Sequence, residues 1–259
     1  MKNHQAYAHQ ALGLMDLTSL NDNDTDQTII DLCQNAITDH GHVAAVCVFP
    51  KFVAIAKKTL LELGLNSVKV ATVTNFPNGT DNIDQVIALT EQAIADGADE
   101  IDVVLPYRQF VNGELQHCEE ILVQSKQACA DHNVLKVIIE SGELGDLNTI
   151  KAASEFAIDC GADFIKTSTG KVTVNATLEA ADVMLNVIKE NGSKVGFKAA
   201  GGIRTTQDAQ NYLIQAEQIM GVEWITASNY RFGASGLLNS LKDTLSGNES
   251  NNSDSSSGY

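Results

Sequence analysis

Residues 134–168 read VLKVIIESGELGDLNTIKAASEFAIDCGADFIKTS, and this stretch decides the fold class. Val134–Glu140 is a short β-rich run. Asn148–Cys160 has helical length and stops at Gly161, the residue type that most cheaply adopts the left-handed conformation at a helix end. Asp163–Ser168 is β-rich again. Run, helix and run in close succession form the pattern of two parallel strands joined by a crossover helix.

The same unit repeats outward in both directions. Further β-rich runs are Leu14–Thr18, Val43–Phe49, Val68–Asn75, Glu100–Leu105, Val195–Lys198 and Val222–Ala227. They are rich in Val, Ile, Phe and Ala, as strands buried on both faces should be. Between and after them lie helical stretches at Thr25–Thr38, Lys51–Leu63, Asn82–Asp96, Glu114–His132, Thr177–Glu190, Thr206–Met220 and Ser235–Leu245. Eight runs and eight helices in 259 residues suit a (β/α)8 barrel, which takes roughly 250. A doubly wound open sheet also alternates, but it usually has fewer units and a glycine-rich turn after its first strand. No such turn follows Leu14–Thr18. The expectation is an α/β protein with a single-domain (β/α)8 barrel over residues 1–245. Residues 246–259 read as a flexible polar tail of low complexity, and composition alone makes its last residue, Tyr259, incidental.

Composition narrows the function. Seventeen basic against 33 acidic side chains give a formal charge of −16. Nucleic acids and anionic membranes would repel such a chain, so neither is expected as a partner. A small anion would need a locally cationic pocket. No apolar run approaches the length needed to span a bilayer, and Met1–Gln10 is polar. The five scattered cysteines contain no C-x-x-C and read as reduced thiols of a cytoplasmic protein. His40 and His42 flank a glycine before a strand and read as loop residues, so no metal is expected.

Active sites of such barrels gather at the C-terminal ends of the strands. Lys166 sits inside a sixth run that reads as a buried strand, and Lys198 holds the corresponding place in the seventh. A lysine in a buried strand either reaches solvent or a carboxylate, or serves chemistry. Two ammonium groups close together raise each other's cost of protonation, and desolvation adds to it. One amine can then be neutral near pH 7 and attack a carbonyl to form a Schiff base. In the fourth run, alternation puts Ile101, Val103 and Leu105 on one face and Glu100, Asp102 and Val104 on the other. If the aliphatic face packs on the helices, Asp102 points at the lysines, either for proton transfer or as a structural ion pair. Asp16 in the first run and Glu140 at the end of the fifth are further inward candidates.

Three turns suit a phosphate. Gly201-Gly202 follows the seventh run, where backbone N–H groups can approach an anion. Gly233-Ala234-Ser235 follows the eighth and opens a helix. Thr167-Ser168-Thr169-Gly170-Lys171 adds hydroxyls and, in Lys171, a cation.

Taken together, Leu14-Met15-Asp16-Leu17-Thr18, Val73-Thr74-Asn75-Phe76-Pro77, Asp99–Val104, Val137–Glu140, Phe164–Gly170, Lys198–Arg204 and Tyr230–Ser235 resemble the deoxyribose-phosphate aldolase family. The terminal Tyr259 is similar to the enterobacterial type. The resemblance runs from about Leu12 to Leu245 and resumes at the last residue. It implies a class I aldolase without metal or other cofactor. Such an enzyme cleaves 2-deoxy-D-ribose 5-phosphate reversibly to D-glyceraldehyde 3-phosphate and acetaldehyde, in deoxynucleoside breakdown. It further implies Lys166 as the Schiff-base lysine, Lys198 as the neighbouring cation and Asp102 in proton transfer. Tyr259 gains a role in proton exchange at the enamine carbon. Gly170, Lys171, Gly201, Gly202, Gly233 and Ser235 would bind phosphate, with Asp16, Leu20 and Phe76 also at the substrate. A homodimer is the family-level expectation. Two positions depart from the family pattern. Ala199 stands where proline often follows the second lysine, and Gly236 where a second serine often follows Gly-Ala-Ser. Losing that hydroxyl removes one phosphate hydrogen bond, on the order of 1–3 kcal/mol. Two other readings stay open: another Schiff-base aldolase, such as a transaldolase-like enzyme, and a non-catalytic sugar-phosphate sensor.

Overall fold

The computed structural model describes residues 2–130 and 132–248. Eight parallel strands close into a barrel: β1 Met15–Thr18, β2 Ala45–Val48, β3 Lys69–Thr74, β4 Glu100–Val104, β5 Val134–Ile138, β6 Phe164–Lys166, β7 Gly196–Ala200 and β8 Tyr230–Ala234. Each pairs with its sequence neighbours, and β1 closes the ring on β8. The expected (β/α)8 barrel is therefore the observed fold.

The stretch 134–168 folds as read. Asp146 caps the helix Leu147–Asp159 by accepting from the backbone N–H groups of Asn148 and Thr149. That helix ends at Gly161, whose φ is +91°. Outward-facing strand residues such as Ile101, Val103, Val137 and Ile165 pack against the helices in one continuous apolar layer. Inside the barrel a separate small apolar cluster forms from Leu20, Cys47, Ala71 and Val73. The rest of the interior that matters here is charged.

The eighth strand needs correction. The run Val222–Ala227 is not a strand. Val222–Trp224 forms a 3-10 turn, and the strand is Tyr230–Ala234. Trp224 donates its indole N–H to the Ser193 carbonyl and meets the Tyr230 ring edge-on at 6.4 Å. Trp224, Ile225 and Ala227 thus pack against the core without joining the sheet, while Val222 is exposed. The true strand alternates Tyr230 and Phe232 outward with Arg231 and Gly233 inward, so its composition hides it. As a result, Gly233 lies within β8 rather than after it.

Several further elements among the described residues escaped the sequence reading. A helix at His4–Gly13, capped by Asn3, lies against the helices Thr206–Met220 and Leu237–Leu245. It buries Tyr7, Ala8, Ala11 and Leu12 within a polar stretch. A short hairpin pairs Ile37–Thr38 with Gly41–His42 and carries the exposed His42. A short helix, Tyr107–Val111, follows β4. All five cysteines are free and buried. No helix among the described residues is long and apolar enough to cross a membrane. Most of the tail, including Tyr259, lies outside the described residues.

Candidate active site

The lysines and carboxylates noted in the strands meet inside the barrel. Lys166 on β6 and Lys198 on β7 are register partners. Both donate to the same carboxylate oxygen, Oδ2 of Asp102, at 2.8 Å each. Asp102 is fully buried on β4, as the alternation of that strand requires. Its other oxygen, Oδ1, accepts from Lys136 Nζ at 2.8 Å.

A lower layer extends this cluster. Lys136 also meets Glu100 Oε2 at 2.6 Å. Arg231 forks onto Glu100, with Nη2–Oε1 at 2.8 Å, and reaches Asp16 Oδ1 at 2.7 Å. The second oxygen of Asp16 accepts from Lys198. Asp16, expected among the substrate contacts, is instead fully buried in this ladder between Lys198 and Arg231. Sequence reasoning missed Lys136 and Arg231. Lys136 carried the same signal as Lys166, a lysine inside an apolar strand.

Charge balance in the ladder is informative. Asp16, Glu100 and Asp102 face Lys136, Lys166, Lys198 and Arg231. Three carboxylates cannot neutralise four bases, and an uncompensated buried charge costs several kcal/mol. The ladder balances when one base is neutral. Lys166 is the base whose pKa falls. Burial drives it down first, Asp102 opposes, and Lys198 pushes it down further. Burial also works against charge on Lys198, but Asp102 and Asp16 prevail and raise it well above the ordinary lysine value. Lys136 is raised as well, with burial outweighed by Asp102 and Glu100. Burial alone would push Asp102 up. Lys136, Lys166 and Lys198 instead hold it well below the usual carboxylate range. Asp16 is likewise held low, burial being overcome by Lys198 and Arg231.

Lys166 opens upward into a cavity of about 740 Å³. Its wall includes Leu20, Gly170, Lys171, Gly201, Gly202, Gly233 and Ser235, so the three turns read as phosphate sites converge. Gly201 has φ of +82°, and a Cβ there would come within 2.7–2.8 Å of the Asn175 side chain. Gly236 stands at the N-cap of the helix Leu237–Leu245 without a side-chain hydrogen bond and also lines the cavity. An uncapped helix N-terminus facing a cavity favours an anion. Lys171 Nζ donates to the Leu20 carbonyl at 2.6 Å across the mouth. Arg204 joins the wall, a second cation missed in the sequence.

Phe76 lies away from that wall. Its ring meets Phe49 edge-on at 6.0 Å and packs on the inner apolar cluster that Leu20 shares. Glu140, at the end of β5, has a left-handed backbone with φ of 54°. Its buried carboxylate accepts from the backbone N–H and hydroxyl of Thr169, and so braces the loop that carries Lys171. Burial raises its pKa, against the pull of those hydrogen bonds.

Two lysines that share one buried carboxylate beneath a glycine-lined cavity form a setting in which an amine can meet a carbonyl compound. The comparison with known families agrees: the DeoC/LacD family aldolase model matches residues 10–243, and the chain belongs to that family. More particularly, it is similar to a protein assigned as a deoxyribose-phosphate aldolase from Toxoplasma gondii, at 26% identity and a TM-score of 0.85, covering 94% of this chain and 97% of that one. Another, from Coccidioides immitis, is 28% identical with a TM-score of 0.77, covering 92% and 86%. The deoxyribose phosphate aldolase of Aeropyrum pernix, described as a tetramer, shares the fold at 24% identity and a TM-score of 0.73, covering 95% and 94%.

Proposed function

We propose that this aldolase cleaves 2-deoxy-D-ribose 5-phosphate to D-glyceraldehyde 3-phosphate and acetaldehyde through a Schiff base on Lys166. The observation that carries this reading is the placement of Lys166. It is the base with the lowered pKa in an overfull charge ladder, and its amine opens into the cavity walled by the glycine turns, Lys171 and Arg204.

The neutral amine attacks the aldehyde carbon of the open-chain sugar, and loss of water leaves the imine. The protonated imine restores the positive charge that the neutral amine had removed, beside Asp102. Removing the proton from the C3 hydroxyl breaks the C2–C3 bond. The electron pair flows into the imine to give an enamine, and C3 leaves as the aldehyde of glyceraldehyde 3-phosphate. Protonation of the enamine carbon and hydrolysis release acetaldehyde and regenerate Lys166. Asp102 and Lys198 are assigned to proton transfer and to holding the imine charge. Gly170, Lys171, Gly201, Gly202, Gly233 and Ser235 are assigned to the phosphate. Asp16 is assigned to fixing Lys198, Leu20 to the apolar side of the mouth, and Phe76 to backing the apolar cluster that Leu20 shares. Tyr259 is assigned to proton exchange at the enamine carbon by resemblance alone.

The reading includes independence from metal, a cytoplasmic setting, a place in deoxynucleoside breakdown and a self-association state to be measured. The direct assay is acetaldehyde release from 2-deoxyribose 5-phosphate with EDTA present, beside Lys166→Ala. Activity that survives EDTA and vanishes in the variant is expected. An inactive wild type would move the assignment to another aldol donor.

A further inference from the structure

The ladder beneath Lys166 has a floor. Phe164 precedes Lys166 by two residues on β6, so both side chains point into the barrel and Phe164 lies one layer lower. Its side chain is buried. The ring centroid stands 6.0 Å from Lys136 Nζ and 5.9 Å from Arg231 Cζ, within reach of cation–π attraction. Phe164 is in register with Lys136 on β5 and with Gly196 on β7. A Cβ at Gly196 would lie 2.4–2.6 Å from three ring carbons, so the hollow at Gly196 is what admits the ring.

We infer that Phe164 is a positioning residue: its ring closes the lower end of the ion ladder to water, so that Lys136 and Arg231 stay committed to Glu100, Asp102 and Asp16 and the Lys166 amine above them stays poorly solvated. The inference rests on the reading of Lys166 as the imine-forming lysine. Four titratable groups bear on Lys166: Asp102 from β4, Lys198 from β7, Cys47 from β2 and Glu140 from the end of β5. None is supplied by Phe164. Its influence is exclusion of water, and burial is the largest influence holding Lys166 below an ordinary lysine.

The test is the pH dependence of borohydride trapping of Lys166 with acetaldehyde, in the full chain. The acid limb of the trapping rate reports how readily the amine loses its proton. In Phe164→Ala, water enters from below, and the limb moves up by about half a unit or more, slowing trapping on that limb about threefold. Phe164→Leu keeps part of the apolar volume and covers the case in which the alanine variant does not fold. Its limb moves the same way, by about 0.3 unit. Leu60→Ala, in the outer core, lowers thermal stability and leaves the limb in place. A limb at the wild-type position in Phe164→Leu, or one that moves equally in Leu60→Ala, overturns the role of Phe164 alone. Absence of any adduct on wild-type Lys166 overturns both this inference and the lysine reading on which it rests.

Discussion

Lys166 and Lys198 face each other across adjacent strands and share one acceptor, Oδ2 of Asp102. The pair is asymmetric because, among the described residues, Lys198 meets a second carboxylate, Asp16, and Lys166 meets only Asp102. In the proposed mechanism this asymmetry fixes Lys198 as the cation and leaves Lys166 as the base.

Replacing the fixed cation tests this division. Lys198→Met removes a positive charge that depresses Lys166 and leaves Asp102 free to favour its protonation. The acid limb of activity should move to higher pH. At pH 7, kcat/KM should fall by roughly 100-fold or more, the scale of lost proton-transfer catalysis. A pH–rate profile of the folded variant checks both.

Breaking the lower ladder should cost stability first. Glu100→Gln removes a charge from between Lys136 and Arg231. Losing one member of a buried pair costs about 3–5 kcal/mol, or on the order of 10 °C in melting temperature for a chain this long. The double change Glu100→Leu with Arg231→Met should recover part of that loss, because apolar replacements leave fewer charges stranded. Thermal melts of the single and double variants decide it.

Acid sensitivity follows from Asp16 and Asp102. Both carboxylates are held below their ordinary range in the folded chain. Their ionised forms therefore stabilise the fold above the unfolded aspartate value of about 3.9, and that stability is lost as pH falls below it. Urea midpoints measured from pH 7 to pH 3 should drop steeply below about pH 4 in the wild type. The slope should be shallower in Asp16→Asn, even though that variant is weaker at neutral pH.

The two cations of the cavity wall should act on binding. Lys171→Gln or Arg204→Gln should raise KM for the phosphorylated sugar by about tenfold to a hundredfold, the value of a charge-assisted hydrogen bond. Neither should change the rate with unphosphorylated 2-deoxyribose by more than about twofold. Steady-state kinetics with both sugars separates a phosphate contact from a general defect.

The barrel was legible because its repeat rests on local chemistry: apolar strand runs, helix caps and stop signals recur in order. The buried charged cluster was legible for a related reason. Lys166, Lys198 and Asp102 are charged residues at inward positions of apolar strands, where burial demands a partner. The eighth strand was hidden because Arg231 and Gly233 serve the interior and break its apolar pattern, while Val222–Ala227 offers a better one that packs elsewhere. The residues alone marked Asp16 only as an inward candidate, because alternation tells inward from outward and not one layer from the next. Depth in the barrel depends on strand register, and register emerges only when the ring closes. For the same reason nothing in the sequence linked Phe164 with Gly196, which become neighbours only across paired strands.

Reductive trapping of the imine tests the role of Lys166 most directly. Purified protein is treated with acetaldehyde and sodium borohydride, digested, and mapped by mass spectrometry. A reduced two-carbon adduct on Lys166, absent from Lys136 and Lys198, is the predicted result. An adduct on Lys198 in place of Lys166, or none at all, would contradict the assignment of Lys166 as the imine-forming base.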